Sequence, residues 1–528
     1  IMSNLLDKAS IILTPTAYDN GKVLCVKPST APYGDFDFSR NSSATRVNAQ
    51  GLIEDVQILS SNLVQNGDFA TDTDWTKGTG WSIGSGVATS DGTTSNLDQS
   101  SVLTTSASYK ATVTVSNMTI GALSFRLGST SGDEAINITS NGTYTFYGVA
   151  GGTTLRLRSQ SSFDGSVTNI SVIEITDDTN LPRINYSGFS YDGSGNIVAN
   201  SGCGAWLFEP QSTNLITYSE ELDNAAWAKR SSGGGSVPIV TADVATSPDG
   251  TTNADRVVFD AAGGTSGDQS FIRQSVSVTS GVNYIISFYL KSNTASSQQI
   301  LFLRDSAVSA AITVTTSWTR FDLSFTAAST ATTNWGLFLN GDTSASADLL
   351  VYGAQLEEGS YATSYIPTSG STVTRNQDLC TNGGDASLIN SEEGVLYVEI
   401  AALADDGTNK RLTINQNTTN RIGIEFNTSG QLRFTVRIAG SFAVSAVFSA
   451  DITVNNKIAF KYKSGDNSFY LNGVNIGNFA GTFAFAVGQL SKLDFSDGGN
   501  IEMFGKTKAL GVWKEALTDA ELTALTTI

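Results

Sequence analysis

Few side chains in this chain are placed to do chemistry. Five aromatic residues, Trp81, Tyr144, Tyr147, Trp318 and Trp335, lie in or beside predicted strands. Their rings offer flat faces of the kind that stack on sugar rings, and Asn, Asp, Gln and backbone groups would add the hydrogen bonds. The competing use of such rings is core packing between two sheets. Aspartate pairs come next: Asp72 with Asp74, Asp177 with Asp178, Asp405 with Asp406, and Asp494 with Asp497. Loop carboxylates are ligands for a hard cation, and Asp494 with Asp497 is the candidate metal pair. None of these matches an EF-hand loop, and aspartate also favours solvated turns. Glycoside hydrolysis needs only two carboxylates at the right separation. The adjacent pairs Glu357-Glu358 and Glu392-Glu393 would diverge on a strand, and nothing selects a catalytic pair.

The rest of the inventory excludes more than it offers. The 528 residues include no histidine. Ser-His-Asp and Cys-His catalysis and His-ligated zinc or iron are therefore ruled out. Cys25, Cys203 and Cys380 lie far apart and form neither a CxxC pair nor a disulfide framework. Thirty-one Lys and Arg against 49 Asp and Glu leave a net charge of −18. That balance argues against nucleic acid and against anionic membrane surfaces. No apolar run approaches the ~20 residues of a membrane span, and the first ten residues do not read as a signal peptide. Ile1 precedes Met2. The glycine-rich stretches 78–86 and 233–235 lack the P-loop Lys-Ser/Thr and read as loops.

The elements that must position these residues are strands. Short runs rich in Val, Ile, Thr, Phe and Tyr alternate with polar residues, and Gly, Asn, Asp and Ser punctuate them. Residues 109–115 (YKATVTV), 154–158 (TLRLR), 284–290 (YIISFYL) and 433–438 (RFTVRI) are examples. The pattern predicts an all-β chain of sandwiches or barrels. An internal repeat sets the boundaries. Asn62-Leu63-Val64 is followed by Trp75 and Lys77, and Asn214-Leu215-Ile216 by Trp227 and Lys229 at the same offsets. Both copies continue into similar turns, 87–94 (VATSDGTT) and 244–252 (VATSPDGTT). The recurrence of Trp75 and Trp227 marks a requirement of the fold. A third sandwich starts at 393–400 (EGVLYVEI), carries a tight-turn signal at Asn472-Gly473, and ends in a short helix announced by Thr518 and Glu521 as a capping box.

Several segments resemble known proteins. Residues 36–56 (FDFSRNSSATRVNAQGLIEDV) and 207–227 (LFEPQSTNLITYSEELDNAAW) resemble successive segments of bacteriophage fibre and tail-associated proteins, where they are near neighbours. Residues 354–368 (AQLEEGSYATSYIPT) resemble the segment closing the jelly roll of those proteins. Residues 62–75 (NLVQNGDFATDTDW) resemble the opening of carbohydrate-binding jelly rolls. Residues 469–477 (FYLNGVNIG) and the ending 510–525 resemble a concanavalin/laminin-G-type sandwich.

The resemblance implies two jelly-roll β-sandwiches followed by a concanavalin/laminin-G-like sandwich, with a small split N-terminal β region. The units are then 1–60, a virion-anchoring segment; 61–177, an inserted first jelly roll; 178–211, the second part of the anchor; 212–375, the second jelly roll; and 376–528. It implies a non-enzymatic structural protein at the surface of a phage virion, a fibre or appendage of head or tail. Its partners would be other virion proteins, host-surface glycans and further copies of itself, with a trimer favoured. Sandwiches of these classes often hold a structural Ca²⁺ on loop oxygens. The alternatives are a purely architectural decoration protein and a polysaccharide depolymerase. The three cysteines fit reduced, buried thiols of an intracellularly assembled particle.

Overall fold

The computed structural model describes residues 2–31, 33–186, 190–191, 197–198, 203–304 and 307–527. Among the described residues the chain is all β apart from two short helices, Met2–Lys8 and Asp519–Thr526. Its strands build β-sandwiches, each around its own apolar cluster.

The first sandwich hangs on two long strands, Ser108–Arg126 and Leu155–Asp177. Each passes through both sheets. The first half of Ser108–Arg126 pairs with Gly142–Val149, and its second half with Ala135–Ile138. The crossover is a kink with register shifts between Ser116 and Ala122. Bulges of this kind bend a strand and raise its twist. Gly121 sits there at φ +92°, where a Cβ would lie 2.4 Å from the Phe163 backbone nitrogen. Inside, Trp75, Trp81, Tyr109, Phe125 and Phe163 pack together.

The second sandwich repeats the design with separate strands. Ala228–Ser232, Gln269–Val278, Ala331–Asn340 and Gln298–Arg304 form one sheet. Ser236–Thr246, Thr252–Asp260, Ser346–Glu358, Asn283–Ser292 and Thr319–Thr326 form the other. The repeat holds at the level of single hydrogen bonds. Asn62 Oδ1 accepts from Val64 N and Val172 N, and Asn214 Oδ1 from Ile216 N and Leu356 N. Gln99 accepts from Gln65 N as Gln274 does from Thr217 N. The indole of Trp75 donates to Asn66 O and that of Trp227 to Tyr218 O, nine residues back in both copies. Tyr109 and Tyr284 hydroxyls each accept from the backbone five residues earlier, at Thr104 and Thr279. The recurring side chains brace the entry of each copy.

The third sandwich places Ser441–Ser449, Gln431–Ile438, Asn420–Phe426, Lys410–Asn417 and Lys492–Asp494 against a larger sheet. That sheet runs through Gly505–Trp513, Glu393–Ala402, Asn456–Lys463, Asn467–Leu471 and Val474–Phe479. Asn472 (φ 48°) and Gly473 (φ 84°) turn the last hairpin. Thr518 caps the final helix in a capping box with Glu521.

Residues 1–60 and 178–211, the two parts of the split β region, join the third sandwich. Ile11–Leu13 and Ala205–Phe208 both pair with Gly505–Trp513 and extend the sheet of the third sandwich. Their Ile11, Leu13, Phe36, Phe38, Trp206 and Phe208 share one core with Leu396, Phe434 and Phe460. Two short segments cannot bury enough apolar area alone, so they complete a sheet that can. The first sandwich leaves and rejoins this body at one place, where Ile58–Leu59 pairs with the end of Leu155–Asp177.

Where these pieces meet the second sandwich, charge is buried. Arg183 bonds Glu209 at 2.6 Å and also Asp378, Arg375 bonds Glu209 at 2.8 Å, and Arg40 bonds Asp378 at 3.2 Å. These side chains are at most 4% exposed. Burial alone would raise the Glu209 carboxyl, but Arg375 and Arg183 hold it well below the usual carboxylate range. Arg40 comes from residues 36–56 and Glu209 from 207–227, so segments far apart in sequence converge on one hub.

Candidate functional site

Four of the five expected aromatic platforms face inward. Trp81 is 6% exposed, its ring 6.2 Å from that of Phe163. Tyr144 is 4% exposed and its hydroxyl bonds Ser140. Trp318 donates to Thr246 O and packs with Tyr289, Tyr352 and Tyr365. Trp335 is fully buried between Tyr284 and Phe325. A buried ring has no face for a ligand, and these residues belong to cores. Tyr147 is exposed, with Lys110 Nζ 5.7 Å from its ring centroid.

The candidate metal pair is corrected in the same way. Asp494 is 1% exposed and accepts from Asn382 N (2.6 Å), Asn415 Nδ2 (2.9 Å) and Lys492 Nζ (3.1 Å). Asp497 accepts from Arg411 at 2.8 Å. Their oxygens are already used by protein donors. Burial, with the nearby Asp494 and Asp497 charges, pushes the Glu502 carboxyl up to about 8. Among the described residues no group of three or more His, Cys, Asp or Glu side chains could hold a metal ion. The other aspartates serve turns and ion pairs: Asp72 pairs with Lys77, Asp406 with Lys410, and Asp177 accepts from Thr179 N. Of the cysteines, Cys380 is buried and Cys25 partly so, but Cys203 is exposed, contrary to the expectation of three buried thiols.

Open polar space lies elsewhere. One cleft of about 410 Å³ runs between Thr45 and Arg46, the second sandwich at Arg320 and Tyr361, and the third at Thr453 and Lys506. Its charges are largely tied: Arg46 to Glu54, Glu209 to the buried arginines, and Arg320 to Thr363 O and Ser287 Oγ.

A second cleft, of about 430 Å³, lies on the outer face of the first sandwich. It is lined by Arg126, Arg156 and Arg158 with Thr94, Ser129, Thr130, Ser131, Gln160 and Ser161. Strand alternation builds it. Phe125 and Leu157 point into the core, so Arg126, Arg156 and Arg158 point out. Register then places Arg126 opposite Arg156, and Ser124 opposite Arg158. On the other side Asp98 lies opposite Arg156 and Asn96 opposite Arg158. Asp98 binds Arg156 through both carboxylate oxygens, at 2.8 and 2.7 Å. Arg156 also donates to Ser129 O. Arg126 donates from Nε to Ser124 Oγ and from Nη1 to Thr130 O, which fixes the rim of the cleft. Arg158 is half-buried, and its side chain makes no hydrogen bond or ion pair among the described residues. Such a surface can hold an anionic or hydroxyl-rich ligand.

Reading from aromatic residues and net charge missed these arginines. The signal was present in 154–158 (TLRLR), where alternation puts both arginines on one face. A net charge of −18 concealed a local cationic strip.

No family model matches the chain, and no curated protein matches it. Solved structures do show similarity. The CBM40 of the Ruminococcus gnavus IT-sialidase, bound to α2,3-sialyllactose, is 18% identical with a TM-score of 0.23, over 26% of this chain and 83% of that one. The leech intramolecular trans-sialidase is 16% identical with a TM-score of 0.23, and this chain covers 24% of its length against 26% of its own. The CBM22-1–CBM22-2 tandem of Paenibacillus barcinonensis Xyn10C is 12% identical with a TM-score of 0.20, over 60% of this chain and 100% of that one.

Proposed function

We propose that this chain is a non-enzymatic surface appendage of a bacteriophage particle, displaying β-sandwiches that attach to glycans. The observation that carries the attachment reading is the open, hydroxyl-lined cleft on the outer sheet of the first sandwich. The virion reading rests on the phage-like segments 36–56 and 207–227, which supply Arg40 and Glu209 to one buried hub. Attachment would come from weak sites multiplied by copy number, since linked sites raise effective concentration. No catalytic pair enters the proposal. Glu209 is spent on two arginines, and Glu357 accepts from Ser212 Oγ and Thr363 N.

A glycan array probed with the full chain tests attachment, and antibody labelling of intact particles in the electron microscope tests location. Signals on the array and labelled appendages are expected. An array without signal from folded protein removes the attachment function, and unlabelled particles remove the location. A second reading, purely architectural decoration, is favoured by the burial of Trp81 and Trp335. It gains if particles are labelled while the array stays blank.

A further inference from the structure

The two copies of the repeat share their inner framework but not their outer face. Gln99 and Gln274 occupy the same framework position, which places Asn96 at Phe271 and Asp98 at Arg273. Register carries the match across the sheet. Asn96, Arg158 and Ser124 lie side by side in the first copy, and Phe271, Phe338 and Leu301 in the second. The next row is Asp98, Arg156 and Arg126 in the first copy, and Arg273, Gly336 and Leu303 in the second. In the second copy Leu301, Leu303, Phe338 and Phe271 form an apolar cluster. The scaffold therefore does not require arginine at any of these positions.

We propose that the arginine cleft of the first sandwich binds the carboxylate of an acidic saccharide, an inference that rests on the glycan-attachment reading. Arg158 is the principal ligand group. Its guanidinium presents a planar fork of donors that matches a carboxylate, and among the described residues no protein acceptor pairs with it. Arg126 Nη2 is free to add a second contact, because its Nε and Nη1 are already placed. Arg156 is a positioning residue: Asp98 cancels its charge, and its bond to Ser129 O holds the rim. The hydroxyls of Thr94, Ser129, Thr130 and Ser131 line the space where sugar hydroxyls would lie. No aromatic ring lines the cleft, so stacking of nucleic acid bases has no platform there. The −18 charge of the chain repels a long polyanion, while one carboxylate meets three arginines set against Asp98 and the nearby Asp133, a local excess of one positive charge.

The test is calorimetric titration of the full chain with 3′-sialyllactose and a trigalacturonic acid. The controls are lactose, the trigalacturonate methyl ester, sodium sulfate and a single-stranded DNA oligomer. Binding of at least one carboxylated sugar is expected, with its neutral counterpart roughly tenfold weaker or worse. Arg158→Ala should abolish that preference and Arg158→Lys restore part of it, with circular dichroism and Tm unchanged. Added salt should weaken binding. Equal affinity for neutral and carboxylated sugars overturns the inference and leaves glycan attachment standing. So does an Arg158→Ala variant that keeps wild-type affinity. Equal binding by sulfate or DNA also overturns it, by reducing the site to a general anion patch. Failure of every sugar here, alongside a blank glycan array, removes both.

Discussion

Single residues in this protein do similar work in different surroundings, and the surroundings set their worth. Asn62 and Asn214 accept from equivalent backbone groups, yet Asn62 is exposed and Asn214 fully buried. Water can replace the first side chain but not the second. Asn214→Ala should cost about 1–3 kcal/mol by leaving buried N–H groups unpaired. Asn62→Ala should cost clearly less. Urea unfolding of both variants checks the ranking. The buried hub gives a sharper case. Asp378→Asn would leave Arg40 and Arg183 without the charge that both use, at 0% exposure. Removing one partner of a buried ion pair costs about 3–5 kcal/mol, so this variant should unfold at markedly lower urea concentration. A fall below about 1 kcal/mol would mean that Glu209 alone suffices for the three arginines.

At the scale of elements, the first sandwich depends on two strands that change sheets. Gly121 makes the change possible, with φ +92° and no room for a Cβ beside Phe163. Gly121→Ala should cost at least about 1–3 kcal/mol from the left-handed backbone alone, before the clash is counted. Limited proteolysis should then cut within residues 61–177 first. Cleavage elsewhere would place the weak point outside the switch. Much of this scale was legible in the sequence. The Asn-Leu-Val and Asn-Leu-Ile openings with their tryptophans announced a repeat because the fold needs those bonds in each copy. Thr518 and Glu521 announced the last helix because capping is local chemistry. The fate of Trp81 and Trp335 was not legible, since alternation shows that a ring faces one side but not which side is covered. The hub was invisible for a related reason. Arg40, Arg183, Glu209, Arg375 and Asp378 are spread over more than three hundred residues and meet only through tertiary packing.

Across the whole molecule, acidic groups are trapped at the joins between units, and this sets how stability responds to pH. Glu220 lies where the second sandwich meets residue 55 of the N-terminal segment and the first sandwich. Its carboxylate accepts from the Tyr365 hydroxyl at 2.8 Å and Asn253 Nδ2 at 3.1 Å. Burial first, then Asp249 and Asp55, push its carboxyl up to about 8. Burial likewise raises Asp55 to about 6 at the same join and, inside the second sandwich, Asp255 to about 7. Unfolded, each would titrate near the ordinary value of about 4. Between about pH 4 and 8 the folded chain therefore holds protons that the unfolded chain has lost, and stability must fall as pH rises through that window. Glu209, held low by its arginines, opposes this only at pH below its ordinary range, where its ion pairs are lost. Thermal scans at fixed ionic strength should show the highest Tm near about pH 5 and a steady decline toward about pH 8.5. Glu220→Gln, which stays neutral at the same join, should flatten the slope between about pH 6 and 8 and leave Tm near pH 5 almost unchanged. A Tm that instead rises with pH would mean that these carboxyls are solvated in solution and that the joins between units are open there.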